Sequence, residues 1–93
     1  QELSVVYDAN IVQNILRFGL TKGTPSDLIT TAKLGFITPY SPSVLDDEIT
    51  EHAEEIAKAC GKTPSEVLKY YLAEVRPYIQ LVEPADFVLL EEI

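Results

Sequence analysis

Short β-branched runs and longer stretches of helical period succeed one another along this chain. Residues 4–7, Ser-Val-Val-Tyr, predict a buried strand. Ile11, Val12, Ile15 and Leu16 then share one helical face, predicting a helix over residues 10–18 that stops near Gly19, with Arg17 in its last turn, where the dipole favours a cation. Thr24 as N-cap, Pro25 at the first helical position and Asp27 at the positive end open a second helix. Its core face is Leu28, Ile29, Ala32 and Leu34, and Gly35 ends it. Residues 36–39 predict a second strand, and Pro39, having no N–H to donate, marks its end or a sheet edge. Ser41-Pro42 starts a third helix with the stripe Val44, Leu45, Ile49, Ala53, Ile56, Ala57 and Cys60, closed by Gly61. Thr63 and Glu66 have capping-box spacing and open a fourth, with Val67, Leu68, Tyr71, Leu72 and Val75 inward and Pro77 at its end. Residues 78–82 predict a third strand. Residues 85–93 are apolar with a late Glu91-Glu92 pair and predict a further helix or part of one.

Strand, helix, helix, strand, helix, helix, strand is the order of an α/β fold with crossovers and a parallel sheet. Both faces of such a sheet are expected to be covered by helices. Ligands bind beyond the carboxyl ends of strands in open α/β sheets, and Asp8 stands at the end of the first strand. Asp8 is equally well placed to cap the helix that follows. The third helix begins just after the second strand, so Asp46, Asp47 and Glu48 can approach Asp8. Carboxylates that converge are costly unless protonated or bound to a cation, and an all-oxygen cluster suits magnesium or manganese.

Composition narrows the classes. A 93-residue chain that is 46% hydrophobic is one small globular domain or part of one. The formal net charge of −8, from 15 acids against 7 bases, argues against a broad nucleic-acid surface but not against a small site where a cation reverses the local field. No apolar run is long enough to cross a bilayer, and the first residues lack the pattern of a signal peptide. A single cysteine, Cys60, excludes an internal disulfide, so a cytoplasmic setting is expected.

Val-Val-Tyr-Asp-Ala-Asn at residues 5–10, followed by Ser-Pro-Ser-Val-Leu-Asp-Asp-Glu-Ile-Thr-Glu-His at 41–52, resembles the PIN domain family, and its prokaryotic branches in particular. The resemblance implies a Rossmann-like parallel sheet and a nuclease that cuts single-stranded RNA with magnesium or manganese. It implies that Asp8 and Glu48 are catalytic and metal-binding, with Asn10 and Ser41 in support. It also implies the toxin of a toxin–antitoxin pair, with an antitoxin protein as partner, and a homodimer. The family's later aspartates have no counterpart after Glu48, where Asp86 is the only Asp. The match therefore covers only the N-terminal part of the family domain, with a weak or absent cation site. A truncated form, a fragment or a remnant without full activity is expected.

Other residues have bland rivals to a functional role. Glu48 and His52, four apart on one helix, can share a ligand or form a solvated face. Asp46 and Asp47 suit first-turn stabilisation. Cys60 suits the core; Tyr70, Tyr71 and Tyr78 can stack bases, but two of them fall on or beside apolar stripes and suit the core. Arg17 and Lys22 are the basic pair nearest Asp8 and are candidates for RNA phosphate. Two other classes compete with the nuclease. A phosphatase with Asp8 as nucleophile lacks its general acid, because Asn10 stands at the second position of the D-x-D motif. A non-catalytic module for dimerisation or antitoxin binding is the stronger alternative.

Overall fold

The computed structural model describes residues 3–83. The expected order of elements is present: β1 (Leu3–Val6), α1 (Ala9–Lys22), α2 (Asp27–Lys33), β2 (Ile37–Pro42), α3 (Leu45–Cys60), α4 (Pro64–Tyr70) and β3 (Gln80–Val82). The strands form one sheet in the order β1-β2-β3, parallel throughout. The apolar run at residues 85–93 lies outside the described residues.

The central strand carries two prolines, contrary to the expectation that Pro39 ends a strand or lies at an edge. Residues 41 and 42, expected to open a helix, are instead the last two of β2. The ladders explain how β2 tolerates both. Leu3 and Tyr7 donate to the carbonyls of Phe36 and Tyr40, so even-numbered residues of β2 bond to β1 and odd-numbered ones to β3. Pro39 therefore lacks an N–H on the β3 side, one position before the first β2–β3 partners, Tyr40 and Gln80. Pro42 lacks one on the β1 side, where the next ladder bond would reach the carbonyl of Tyr7. Ser41 supplies that bond instead, its hydroxyl donating to the Tyr7 carbonyl at 2.5 Å. Ser41 is fully buried and is the one buried polar residue among those described.

Partners across a parallel ladder point to the same face, so Val5, Tyr7, Ile37, Pro39, Ser41 and Leu81 share one face. That face meets the core, which joins Tyr7 to Val12, Ile15 and Leu16 of α1, Ile29 of α2, Leu45, Ile49, Ala53, Ile56 and Ala57 of α3, and Val67 of α4. The Tyr7 hydroxyl also donates to the Leu28 carbonyl of α2 at 2.9 Å. Helices were expected on both faces, but those described gather on this one. The opposite face carries Ser4, Val6, Thr38, Tyr40, Pro42, Gln80 and Val82, without a charged residue.

The helices depart from expectation in their ends. α1 runs past Gly19 to Lys22, and Gly23, in the left-handed region at φ 76°, closes it. Gly19 is a contact residue: a Cβ there would overlap the Tyr70 ring and hydroxyl. Ser26 rather than Thr24 caps α2, accepting from the Leu28 N–H, and Leu28 and Leu34 are exposed. α3 has Val44 at its cap and no side-chain cap bond. Thr63 and Glu66 do form the capping box of α4, whose hydrogen bonds hold the Glu66 carboxyl below its ordinary value. After Tyr70 the chain widens into a π-turn, Tyr71–Val75, and then a 3₁₀ turn, Arg76–Tyr78, which contains Pro77. The wider turn buries Tyr71 and Val75 but leaves Leu72 exposed.

The substitution role of Ser41 has a direct test. Ser41→Ala strands the buried Tyr7 carbonyl and should cost about 1–3 kcal/mol in urea unfolding. Pro42→Ala restores a ladder N–H to the same carbonyl. The double variant should therefore recover about 1 kcal/mol relative to Ser41→Ala alone; simple additivity would show that the two donors are not interchangeable.

Candidate functional site at the carboxyl edge of the sheet

The carboxyl ends of the three parallel strands lead into Asp8, Ser43 and Glu83. α1 and α3 both start at this edge and run away from it side by side. Arg17 Nη2 meets Glu55 Oε1 at 3.4 Å, 38 residues further along the chain. Thr21 Oγ1 meets Cys60 Sγ at 3.5 Å, 39 residues further along. The helices are therefore parallel, with their first turns, Asp8–Asn10 and Asp46–Glu48, towards the same edge. Asp8, Asn10 and Asp47 are exposed, and Glu48 is half-buried.

Asp8 caps α1: its Oδ1 accepts from the Ile11 N–H at 2.9 Å, from an extended backbone at ψ 174°. One oxygen is committed to the helix, which leaves the second for other partners. Ser41, expected in support of the site, is instead engaged with the Tyr7 carbonyl.

Asp46 is turned to a different task. Its Oδ1 accepts from the Tyr71 hydroxyl at 2.5 Å and from Arg76 Nε at 3.0 Å. Arg76 Nη1 in turn donates to the Ile79 carbonyl at 3.2 Å. Burial, and then the hydrogen bond to Asp46, push the Tyr71 hydroxyl far above the ordinary tyrosine value, so it remains a donor. This cluster fastens the uncapped start of α3 to the chain just before β3. Nothing in the linear spacing signals it, because the π-turn that aims Tyr71 has no sequence pattern of its own. Glu83 was more accessible to reading, as an acid directly after a strand; it accepts from Ser43 Oγ at 3.4 Å.

The remaining candidates are placed elsewhere. His52 faces Glu55, with Nδ1 3.7 Å from Oε2, so its acidic neighbour is Glu55 rather than Glu48. Arg17 pairs with the same Glu55, and Lys22 lies at the far end of α1, so neither is beside Asp8. Cys60 is half-buried between α1 and α3. Tyr70 packs on Gly19, and the Tyr78 ring lies under Lys33 Nζ at 5.3 Å from its centroid. Two surface grooves, of about 600 and 360 Å³, lie along α3 and α4 and share Lys62; neither includes Asp8 or Glu48.

Among the described residues no three His, Cys, Asp or Glu side chains group so as to hold a metal ion. The exposed carboxylates of Asp8 and Asp47 and the half-buried one of Glu48 form no such group. No described helix is long and apolar enough to cross a membrane. No family model matches the chain, and comparison with curated proteins and with solved structures returns no match.

The two roles open to Asp8 separate by substitution. Asp8→Ala removes the cap and should cost about 1 kcal/mol in thermal or urea unfolding. Asp8→Asn keeps a capping oxygen and should stay within a few tenths of a kcal/mol of the parent. Equal losses in both would mean that the charge, not the cap, stabilises α1.

Proposed function

We propose that the chain carries the N-terminal acidic edge of a PIN-like endoribonuclease that cuts single-stranded RNA with magnesium or manganese. The observation that carries this reading is the parallel packing of α1 and α3, which sets Asp8, Asn10 and Glu48 at one end of two neighbouring helices. Asp8 contributes its uncapped oxygen and Glu48 its carboxylate. The Asn10 amide supplies a neutral donor suited to a phosphate oxygen. Asp8 and Glu48 would hold the divalent cation, whose chemistry would be to offset the acidic charge of the edge, polarise a phosphodiester and ease ionisation of water. An antitoxin protein as partner belongs to the same reading and rests on the family resemblance alone.

A second reading, a non-catalytic PIN-like interaction module, is favoured by one observation: no three His, Cys, Asp or Glu side chains among the described residues group so as to hold a metal ion. Manganese titration by calorimetry or paramagnetic line broadening addresses the edge directly. Weak binding, on the order of millimolar, is expected for one or two carboxylates without substrate phosphate. Asp8→Asn and Glu48→Gln should each abolish it with the fold intact. Binding that is unchanged in both variants would remove the carboxylate edge from consideration. Cleavage of a labelled single-stranded RNA, lost with chelator and in both variants, separates the nuclease from the interaction module.

A further inference from the structure

We propose that Tyr71 and Arg76 are positioning residues: through Asp46 they fix the roll of α3 and thereby the place of Glu48 at the carboxyl edge. The inference rests on the proposed cation edge and locates its support on the opposite flank of the same helix. Leu45 and Ile49 are buried and seat the first turns of α3 in the core. Helical geometry sends Asp46 and Glu48 to either side of that pair, about 160° apart around the axis. Glu55, seven residues after Glu48 and so on nearly the same flank, meets Arg17 of α1 at 3.4 Å. Glu48 therefore lies on the α1 flank. Asp46 lies on the other, where Tyr71 and Arg76 meet it. Whatever holds Asp46 in angle also holds Glu48.

The helix start needs such a hold. Apolar burial at Leu45 and Ile49 is not directional, so it sets depth better than roll. Val44 makes no side-chain cap bond, and its carbonyl accepts the first backbone bond of α3 from the Glu48 N–H at 3.0 Å. Glu48 is thus the residue that a fraying first turn releases. The clamp is anchored twice. The Tyr71 ring is buried, which fixes the origin of its hydroxyl. Arg76 is tied to buried Ile79 in both directions: Nη1 donates to the Ile79 carbonyl at 3.2 Å, and the Ile79 N–H donates to the Arg76 carbonyl at 3.1 Å. Both residues bond one oxygen, Asp46 Oδ1, and the bond from Arg76 is charge-assisted. Two directional bonds from separate origins constrain Asp46 in angle as well as distance. Arg76 also offsets the Asp46 charge beside Asp47 and Glu48.

Two measurements on the full chain read the clamp separately. In hydrogen exchange, the Glu48 amide should exchange about tenfold faster in Arg76→Gln and at least about threefold faster in Tyr71→Phe. Thr63→Ala, which removes the capping box of α4 at comparable cost in stability, should leave that amide within about twofold of the parent. Calorimetry with manganese supplies a sign. Arg76→Gln removes a positive charge near the edge, and by Coulomb attraction alone this would tighten the binding of a cation. Lost positioning instead weakens binding, by about threefold to tenfold, and Tyr71→Phe weakens it with no change of charge. Arg76→Lys keeps the charge and one bond to Asp46, and should recover part of the loss. Unchanged Glu48 exchange in both variants, an equal rise in Thr63→Ala, or manganese binding that is unchanged or tighter would each overturn the proposal. A parent chain that binds no manganese removes the cation reading, and the exchange comparison then decides the clamp alone. Tyr71→Phe keeps the buried ring, so it decides the matter where Arg76→Gln fails to fold.

Discussion

The bond from the Ser41 hydroxyl to the Tyr7 carbonyl sits where three demands meet. β1 ends there, β2 has run out of donors at Pro42, and the chain must turn into α1 with Asp8 at its cap. An unpaired carbonyl in this buried position would cost about 1–3 kcal/mol. Tyr7 also reaches α2 through its own hydroxyl and packs into the core with α1 and α3. One side-chain hydroxyl thus closes the sheet at the edge where Asp8 emerges. The placement of the candidate carboxylates is a consequence of that closure as much as of the strands.

The fold was largely legible because its signals are local and redundant. The alternation of β-branched runs with stripes of period three and four placed every described strand and helix of at least three residues apart from the irregular turns. The Thr63–Glu66 box was readable from spacing alone. What failed was punctuation. Gly19, Pro39 and Pro42 are each breakers by propensity, yet Gly19 lies inside a helix and both prolines inside a strand. Tertiary context decides these cases: Tyr70 needs the room at Gly19, and each proline faces a ladder position with no bond to lose or one that Ser41 replaces. The candidate site was legible in part for the same reason. Asp8 and Glu48 belong to elements with strong patterns, and parallel topology brings their ends to one edge. The Asp46–Tyr71–Arg76 cluster depends on a π-turn and on contacts across 25 and 30 residues, which no periodicity encodes.

The distribution of charge follows the same division. The acids of the first turn of α3 suit the positive end of a helix that has no side-chain cap, and Lys58 suits its other end. Asp46 is drawn off by Arg76, while Asp47 and Glu48 remain at the edge. Glu55 meets Arg17 across the α1–α3 seam and His52 within α3, so Arg17 is engaged between the helices rather than at the carboxyl edge.

The two prolines of β2 also fix alignment. Side-chain polarity differs only modestly between its two faces, with Ile37, Pro39 and Ser41 on one and Thr38, Tyr40 and Pro42 on the other. Such a strand specifies its register poorly by hydrophobicity. A slip of one residue would turn Pro39 towards β1 and Pro42 towards β3, breaking both ladders. A slip of two that set Pro42 opposite Val6 would break the β1 ladder in its middle. The missing donors thus act as a ratchet against misalignment: the sheet is held to one registration by the bonds that β2 is unable to make.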